Sequence, residues 1–395
     1  MTEKLFYENS YIQRFEAEVL ACEKQEGSYE IVLDKTAFFP EGGGQSADRG
    51  FLNGIPVSDA REKNGIVYHT TNQPIHPGTP VSGEISFKER FSKMQQHTGE
   101  HIISGIVHRR FGWHNVGFHL GSEIVTMDFD GALNADELAD IEYQANEIAF
   151  SNRKVEISYP AKEDLDKLEY RSKIEIEGQV RIVTIPGVDV CACCAPHVNY
   201  TGEIGMIKIV DAQKYKGGTR VSMLCGFRAL HDYRTKERNI NQISIVLSAK
   251  PNLSAEAVVR QKEELQHDKD RMIYFQGKYI EEKAGRIPEG GDGHIGMLLF
   301  EEDLDSGMMR KYVNLSVGKT DGISGCFVGD DLNGYRYVLG SETLDVRIIS
   351  GEMNRDLDGK GGGKPGMVQG SVNGTKEQIL NVMKRVLADS KTERK

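Results

Sequence analysis

Two short motifs constrain this chain most: HTGEH at His97–His101 and, about ninety residues later, CCAPH at Cys193–His197. On a helix, His97 and His101 share one face one turn apart, and a Cys-x-x-x-His pair can close a tetrahedral nitrogen and sulfur site from the other side. Each half alone has an ordinary explanation. Ile102, Ile103, Ile106, Val107 and Phe111 give the first stretch a core-facing stripe on which two histidines can simply pack. Together, thiolate and imidazole form a ligand set that suits zinc. Of Cys191, Cys193 and Cys194, only Cys193 stands four residues before His197; the other two read as small packing residues able to serve as spare ligands.

Six cysteines in 395 residues, half of them in this cluster, describe a reduced protein with a metal site and not a disulfide framework. The first residues, MTEKLFYENSYIQRFEAEV, carry scattered charge and no apolar core of a secretory signal, and no run approaches the roughly 18 apolar residues of a membrane span. The expected location is cytoplasmic, with no membrane partner. A formal net charge of -10 argues against broad nucleic-acid coating but leaves room for structured RNA met through local basic clusters. The candidates are Lys88, Arg90 and Lys93; Arg109 and Arg110; Lys214, Lys216 and Arg220; and Lys384, Arg385, Lys391, Arg394 and Lys395. Each also reads as an ordinary solvated face.

The predicted fold class is α+β. Residues 1–90 alternate apolar and polar between glycine-rich turns, as in EIVLD and VSGEISF, which predicts a β-barrel-like domain. Residues 91–230 combine helices, one starting at Asn134 with Glu137 as capping-box partner, with strand-like runs VEISYP, VRIVTI, GMIKIV and RVSML. Residues 231–287 are charged and almost glycine-free; Val258, Leu265, Met272 and Tyr279 recur by sevens, but Gln261 and Asp268 break a coiled-coil seam, so a long surface helix or helical hairpin is expected as linker. Residues 288–395 open on EGGDGHIG, carry strand signals at MLLFEED, GCFVGDD, YRYVLGS and VRIISGE, and close with a helix near Lys376 to Asp389, an α/β domain.

Two glycine runs stand out. Gly42, Gly43 and Gly44 within TAFFPEGGGQSADRG serve either a tight turn or the close approach of a ligand, and they match no Walker A or dinucleotide fingerprint. In GKGGGKPGMVQG, Lys360 and Lys364 flank Gly361, Gly362 and Gly363, with Gln369 nearby, so exposed amides and two cations could hold a phosphate or an RNA backbone turn; a solvated loop is the alternative.

TAFFPEGGGQ at 36–45, QQHTGEH at 95–101, VGFHLGSEIVTMDFD at 116–130 and CCAPHVNYTGEIG at 193–205 stand together in an order and spacing that resemble the alanyl-tRNA editing proteins of the AlaX type. That family shares its editing domain with alanyl-tRNA synthetase, and the resemblance spans roughly residues 1–230. GKGGGKPGMVQG resembles the signature of the DHHA1 domain found in the synthetase and in the long AlaX form. The resemblance implies a zinc-dependent, ATP-independent hydrolase acting in trans on mischarged alanine tRNA, with seryl and glycyl esters as substrates and no room for an activation domain. It implies His97, His101 and Cys193 as ligands acting catalytically through zinc, with His197 as the variable or distal ligand. It implies an acyl pocket of Thr36, Phe39, Gly42, Gly43, Gly44 and Gln45, with Gln45 also catalytic and Thr36 meeting the serine side chain. It places tRNA on Lys360, Gly361, Gly362, Gly363, Lys364 and Gln369, and allows a homodimer through the linker or the C-terminal domain.

Two departures from the family pattern keep rival readings open. Cys194, Ala195 and Pro196 replace the synthetase's Gly-Gly-Thr, and Glu100 creates the His-x-x-Glu-His pattern of inverted zinc peptidases, where the glutamate is general base. One rival is that peptidase; the other is a non-catalytic tRNA-binding protein stapled by a saturated zinc. A DHH phosphoesterase is set aside, because no Asp-His-His motif occurs.

Overall fold

The computed structural model describes residues 1–172, 179–287, 295–319 and 322–392. Most of the turn expected at EGGDGHIG, up to residue 294, and the cations Arg394 and Lys395 lie outside the described residues. The chain divides into two compact units, Met1–Gln242 and Ile243–Lys395. Helices and sheets mix in both, as the α+β expectation requires.

In the first unit, strands Arg14–Gln25, Ser28–Leu33, Gly50–Leu52, Ile55–Lys63, Ile66–Thr71 and Pro80–Ile85 pair in a closed ring. Alternation drives the closure: Phe15, Ala17 and Val19 point inward from the first strand, and Val81 and Ile85 from the last, to a core with Ile31, Leu33, Phe38, Leu52 and Val67. Asn53-Gly54 and Asn64-Gly65, all at positive φ, supply two of its tight hairpins. A polar pair sits within this core. Nδ1 of His69 donates to the Ile31 carbonyl at 3.0 Å, which leaves Nε2 to accept the Thr36 hydroxyl at 2.8 Å. Burial holds the His69 imidazole neutral, pushed down to about 4.

The helix Phe87–Phe111 follows and ends at Gly112 in the left-handed conformation. The sequence suggests an amphipathic stripe; the structure instead encloses the helix on every side from Met94 to Val107. Its polar residues are buried because each finds a partner, such as Gln96 with Cys225 N–H and C=O. Gly105 is required here: a Cβ would lie 2.5 Å from the Val188 carbonyl, so glycine lets the strand Asp189–Ala192 reach the helix. A four-stranded antiparallel sheet (Ile207–Tyr215, Gly218–Cys225, Val125–Phe129, Asn115–Leu120), a three-stranded one (Glu156–Ser158, Ile182–Ile185, Asp189–Ala192) and the helix Ala135–Phe150 complete the unit. Asn134 and Glu137 form the expected capping box.

Arg90 and Lys93 correct the basic-cluster expectation. Arg90 is 0% exposed and ion-paired with Asp48, which is 1% exposed. Lys93 is buried and donates to the carbonyls of Ser46 and Ala47. Neither is a surface cation.

The expected linker region forms two helices, Gly226–Val246 and Ser254–Gly285. In the second unit a five-stranded sheet runs Ile295–Glu301, Ile323–Asp330, Gly334–Gly340, Met367–Val372, Lys360–Lys364. VRIISGE is not a strand: Val346–Asp356 is a helix capped by Asp345, burying Val346, Ile349, Ser350 and Met353 on one face. The second glycine run is not an open loop either, since Lys360–Lys364 is an edge strand paired with Met367–Val372. Gly361 is needed because a Cβ would meet the Tyr337 hydroxyl at 2.3 Å. No described helix is long and apolar enough to cross a membrane.

Candidate metal centre

The fold brings the two motifs together. His97, His101, Cys193 and His197 each offer a ligand atom, and these four atoms lie within 4.8 Å of one another. Cys193 Sγ lies 3.5 Å from His97 Nε2 and 3.4 Å from His197 Nε2. The three imidazole rings are 4.6 to 5.5 Å apart between centroids.

Each ring has its other nitrogen engaged. Nδ1 of His97 faces the Gln45 side-chain oxygen at 3.1 Å, Nδ1 of His101 faces Asp189 Oδ2 at 2.8 Å, and Nδ1 of His197 faces the Thr98 hydroxyl at 3.0 Å. Such partners orient a ring and leave Nε2 for an ion. Asp189 is in turn gripped by Arg171 through Nε and Nη2 at 2.7 and 2.8 Å. Strand alternation places Asp189 and Cys191 on one side, Cys193 follows just past the strand end, and Cys191 joins His101 and Asp189 in a second, overlapping group.

Burial alone would raise the Cys193 thiol, but His97 and His197, with hydrogen bonds from His101 and His197, bring it well below the usual thiol range. Burial pushes His197 down to about 3, keeping it neutral. His101 moves the other way: burial lowers it, yet Cys191, Asp189, Cys193 and Glu100 together raise it well above the ordinary imidazole value, so the spot favours positive charge. A thiolate and three imidazoles with fixed rings fit a soft divalent ion.

The glycine loop serves this centre. Gly43 and Gly44 take positive φ, Gly42 and Gln45 exchange two backbone hydrogen bonds at 3.0 Å, and Leu120 N–H donates to the Gly44 carbonyl. A Cβ on Gly44 would lie 2.7 Å from the Phe118 ring, itself 4.8 Å from the His97 ring. The turn thereby delivers Gln45 to His97. Phe39 packs with Phe6 and Ala195 under the cysteine loop, and Gly42 and Gly43 lie against Cys194 Sγ. Thr36 is different: its hydroxyl is 0% exposed and is engaged inside the barrel by His69 and the Phe38 N–H.

Glu100 is buried beside the cluster: its Oε1 accepts from Ser104 and Asn115, and its Oε2 lies 3.8 Å from His101 Nε2. In the second unit, Lys360, Gly361, Gly362, Gly363 and Lys364 form an exposed strip, while Gln369 accepts from Arg310 at 2.9 Å. Sequence reasoning missed Asp189, Thr98, Arg171 and Arg310. The alternation of Asp189 with Cys191, just before Cys193, was the available signal for the first; the others have none in the chain alone.

Two family models match parts of the chain: "tRNA synthetases class II (A)" over residues 2–89, and "Threonyl and Alanyl tRNA synthetase second additional domain" over residues 180–222. The chain is 28% identical to the alanyl-tRNA editing protein AlaX-L of Pyrococcus horikoshii, over 97% of each. It is 27% identical to the alanyl-tRNA editing protein Aarsd1 of Rattus norvegicus, over 92% of each. With the alanine–tRNA ligase of Methanococcus vannielii, 31% identity covers 96% of this chain and 43% of the ligase. These matches bear out the resemblance read from the motifs.

Proposed function

We infer that this chain is an alanyl-tRNA editing protein of the AlaX type, a hydrolase that removes wrongly attached amino acids from tRNA. The observation that carries this is the four-residue cluster with all three rings held from behind, in a chain similar along nearly its whole length to editing proteins. The finer reading is a zinc-dependent, cytoplasmic deacylase acting on seryl and glycyl esters of the alanine tRNA. A synthetase pocket shaped for a small apolar side chain cannot strongly reject an added hydroxyl or a missing methyl, which is the error such a hydrolase corrects.

His97, His101, Cys193 and His197 are the residues that would hold zinc, which supplies Lewis acidity toward an ester at neutral pH. Gln45 supports hydrolysis over a mere structural staple. Its oxygen accepts from His97 Nδ1, so its amide Nε2 is left buried with no partner. A buried, unsatisfied donor is costly unless a ligand's oxygen completes it. Gln45 therefore binds and polarises the ester carbonyl, and Phe39 with Gly42, Gly43 and Gly44 walls the acyl pocket.

Thr36 is assigned to the serine side chain. Its proton goes to His69 and one lone pair to Phe38 N–H, leaving one lone pair to accept from a donating hydroxyl. Alanine and glycine have no such donor. The test is deacylation of seryl, glycyl and alanyl esters on the alanine tRNA: the seryl ester should go fastest and the alanyl slowest, and Thr36→Val should narrow the seryl-to-alanyl ratio. Survival of the seryl ester with wild-type protein would end the reading; an unchanged ratio in the variant would move the serine contact off Thr36.

Residues 1–90 and 91–230 are assigned the acyl pocket and the metal, 231–287 the linker, and 288–395 a DHHA1-like domain that grips tRNA through Lys360, Lys364, the amides of Gly361, Gly362 and Gly363, and Gln369. The exposed strip with two lysines and Arg310 nearby supports this. Lys360→Glu with Lys364→Glu should weaken tRNA binding about 10-fold or more by the loss of two phosphate contacts; equal affinity would refute it. Exposed Val258, Leu265, Met272 and Tyr279 on the helix Ser254–Gly285 support pairing of two chains through the linker, which a single-chain mass in solution would exclude.

A further inference from the structure

Arg181 is a buried cation that the metal centre does not use. It is 7% exposed and packs on the ligand-bearing loop, where Nη1 donates to the carbonyls of Cys193 at 2.7 Å and Ala195 at 3.0 Å. Its Nε is buried with no hydrogen-bond partner, and among the described residues it forms no ion pair. Two carbonyls satisfy two of five N–H groups; they do not balance a full charge taken out of water. Tyr7 completes the setting. The guanidinium sits 5.6 Å from its ring, and Lys4 lies equally far from that ring but is paired with Glu62.

We propose that Arg181 is the anion subsite of this centre and takes the phosphodiester that precedes the terminal nucleoside of the acylated RNA. The proposal rests on the reading of the centre as an ester hydrolase. An RNA 3′ end presents, beside its acylated ribose, one phosphodiester as its nearest fixed negative charge. Arginine is suited to it, since a planar guanidinium donates paired N–H groups to phosphate oxygens. The bond from Arg181 to the Cys193 carbonyl ties that grip to the backbone of a metal ligand, so the phosphate sets the position of the ester over the centre. Arg181 thus acts in substrate positioning and touches no reacting atom.

The experiment compares two small esters of serine with the full-length zinc-loaded protein: one on adenosine, which has no phosphate, and one on a cytidylyl-adenosine dinucleotide, which has the single phosphodiester. The readout is the ratio of kcat/KM for the dinucleotide ester over the nucleoside ester. Wild-type protein should favour the dinucleotide, and Arg181→Gln should reduce that ratio about 10- to 100-fold, mostly through KM, while Arg181→Lys recovers part of it. The ratio cancels any general loss from a loosened cysteine loop or lower metal content, so a purely structural Arg181 would lower both rates together and leave the ratio as in the wild type. That result would overturn the proposal. Failure of wild-type protein to cleave either ester would instead remove the hydrolase reading on which it rests.

Discussion

Cys193→Ala is expected to leave the protein without stoichiometric metal and without measurable deacylation. Cys193 is the only sulfur ligand in the four-residue cluster, it lies within 3.5 Å of two ring nitrogens, and its histidine neighbours lower its thiol well below the usual range. Asp189→Asn is a graded companion: it leaves all four ligands and weakens the support behind His101 together with the Arg171 ion pair that holds it, and about 10- to 100-fold in metal affinity is the usual cost of losing such support. Metal analysis of the purified variants, with turnover of the seryl ester, checks both. A Cys193→Ala protein with one metal per chain and normal turnover would show that the ligand set is wrong.

The second large effect lies away from the metal. Arg90 is enclosed in the first unit, with Nε donating to Asp48 at 2.7 Å, Nη1 to the Ser10 carbonyl and Nη2 to the Ala37 carbonyl. Asp48 also accepts from Phe39 N–H at 2.7 Å, so the pair fastens both ends of the segment that carries Gly42 to Gln45. Removing one partner strands a buried charge, which costs about 3–5 kcal/mol. Asp48→Ala should therefore lower stability by that amount in urea unfolding and also slow deacylation by displacing Gln45. A loss under about 1 kcal/mol would mean that water or rearrangement relieves the charge, and the pair would not be the fastening described.

How far the sequence disclosed this molecule depends on whether a feature is local. HTGEH and CCAPH are local, and their spacing plus donor chemistry sufficed to gather His97, His101, Cys193 and His197 before any contact was seen. The support behind them is not: Thr98 and Asp189 reach their rings across 99 and 88 residues of chain, and only Asp189, two residues before Cys191, carries any local sign of it. Arg90 and Lys93 looked like a solvated face because cations on a helix usually are; the surrounding strands and loops bury them. VRIISGE carried β-branched residues that suggest a strand, yet the 3.6-residue spacing of Val346, Ile349 and Met353 and the Asp345 cap favoured a helix. In GKGGGK, the demand for glycine comes partly from Tyr337, a residue on another strand. Tertiary partners of this kind decide what local propensity cannot.

The central claim is that the cluster of His97, His101, Cys193 and His197 holds one zinc ion on which ester hydrolysis depends. Its most direct test removes metal with a chelator, returns zinc in known fractions of the chain concentration, and follows seryl-ester hydrolysis on the alanine tRNA at each step. The account predicts no turnover without metal, a linear return of activity, and a break at one zinc per chain. Full activity in protein shown by metal analysis to be free of zinc would contradict it.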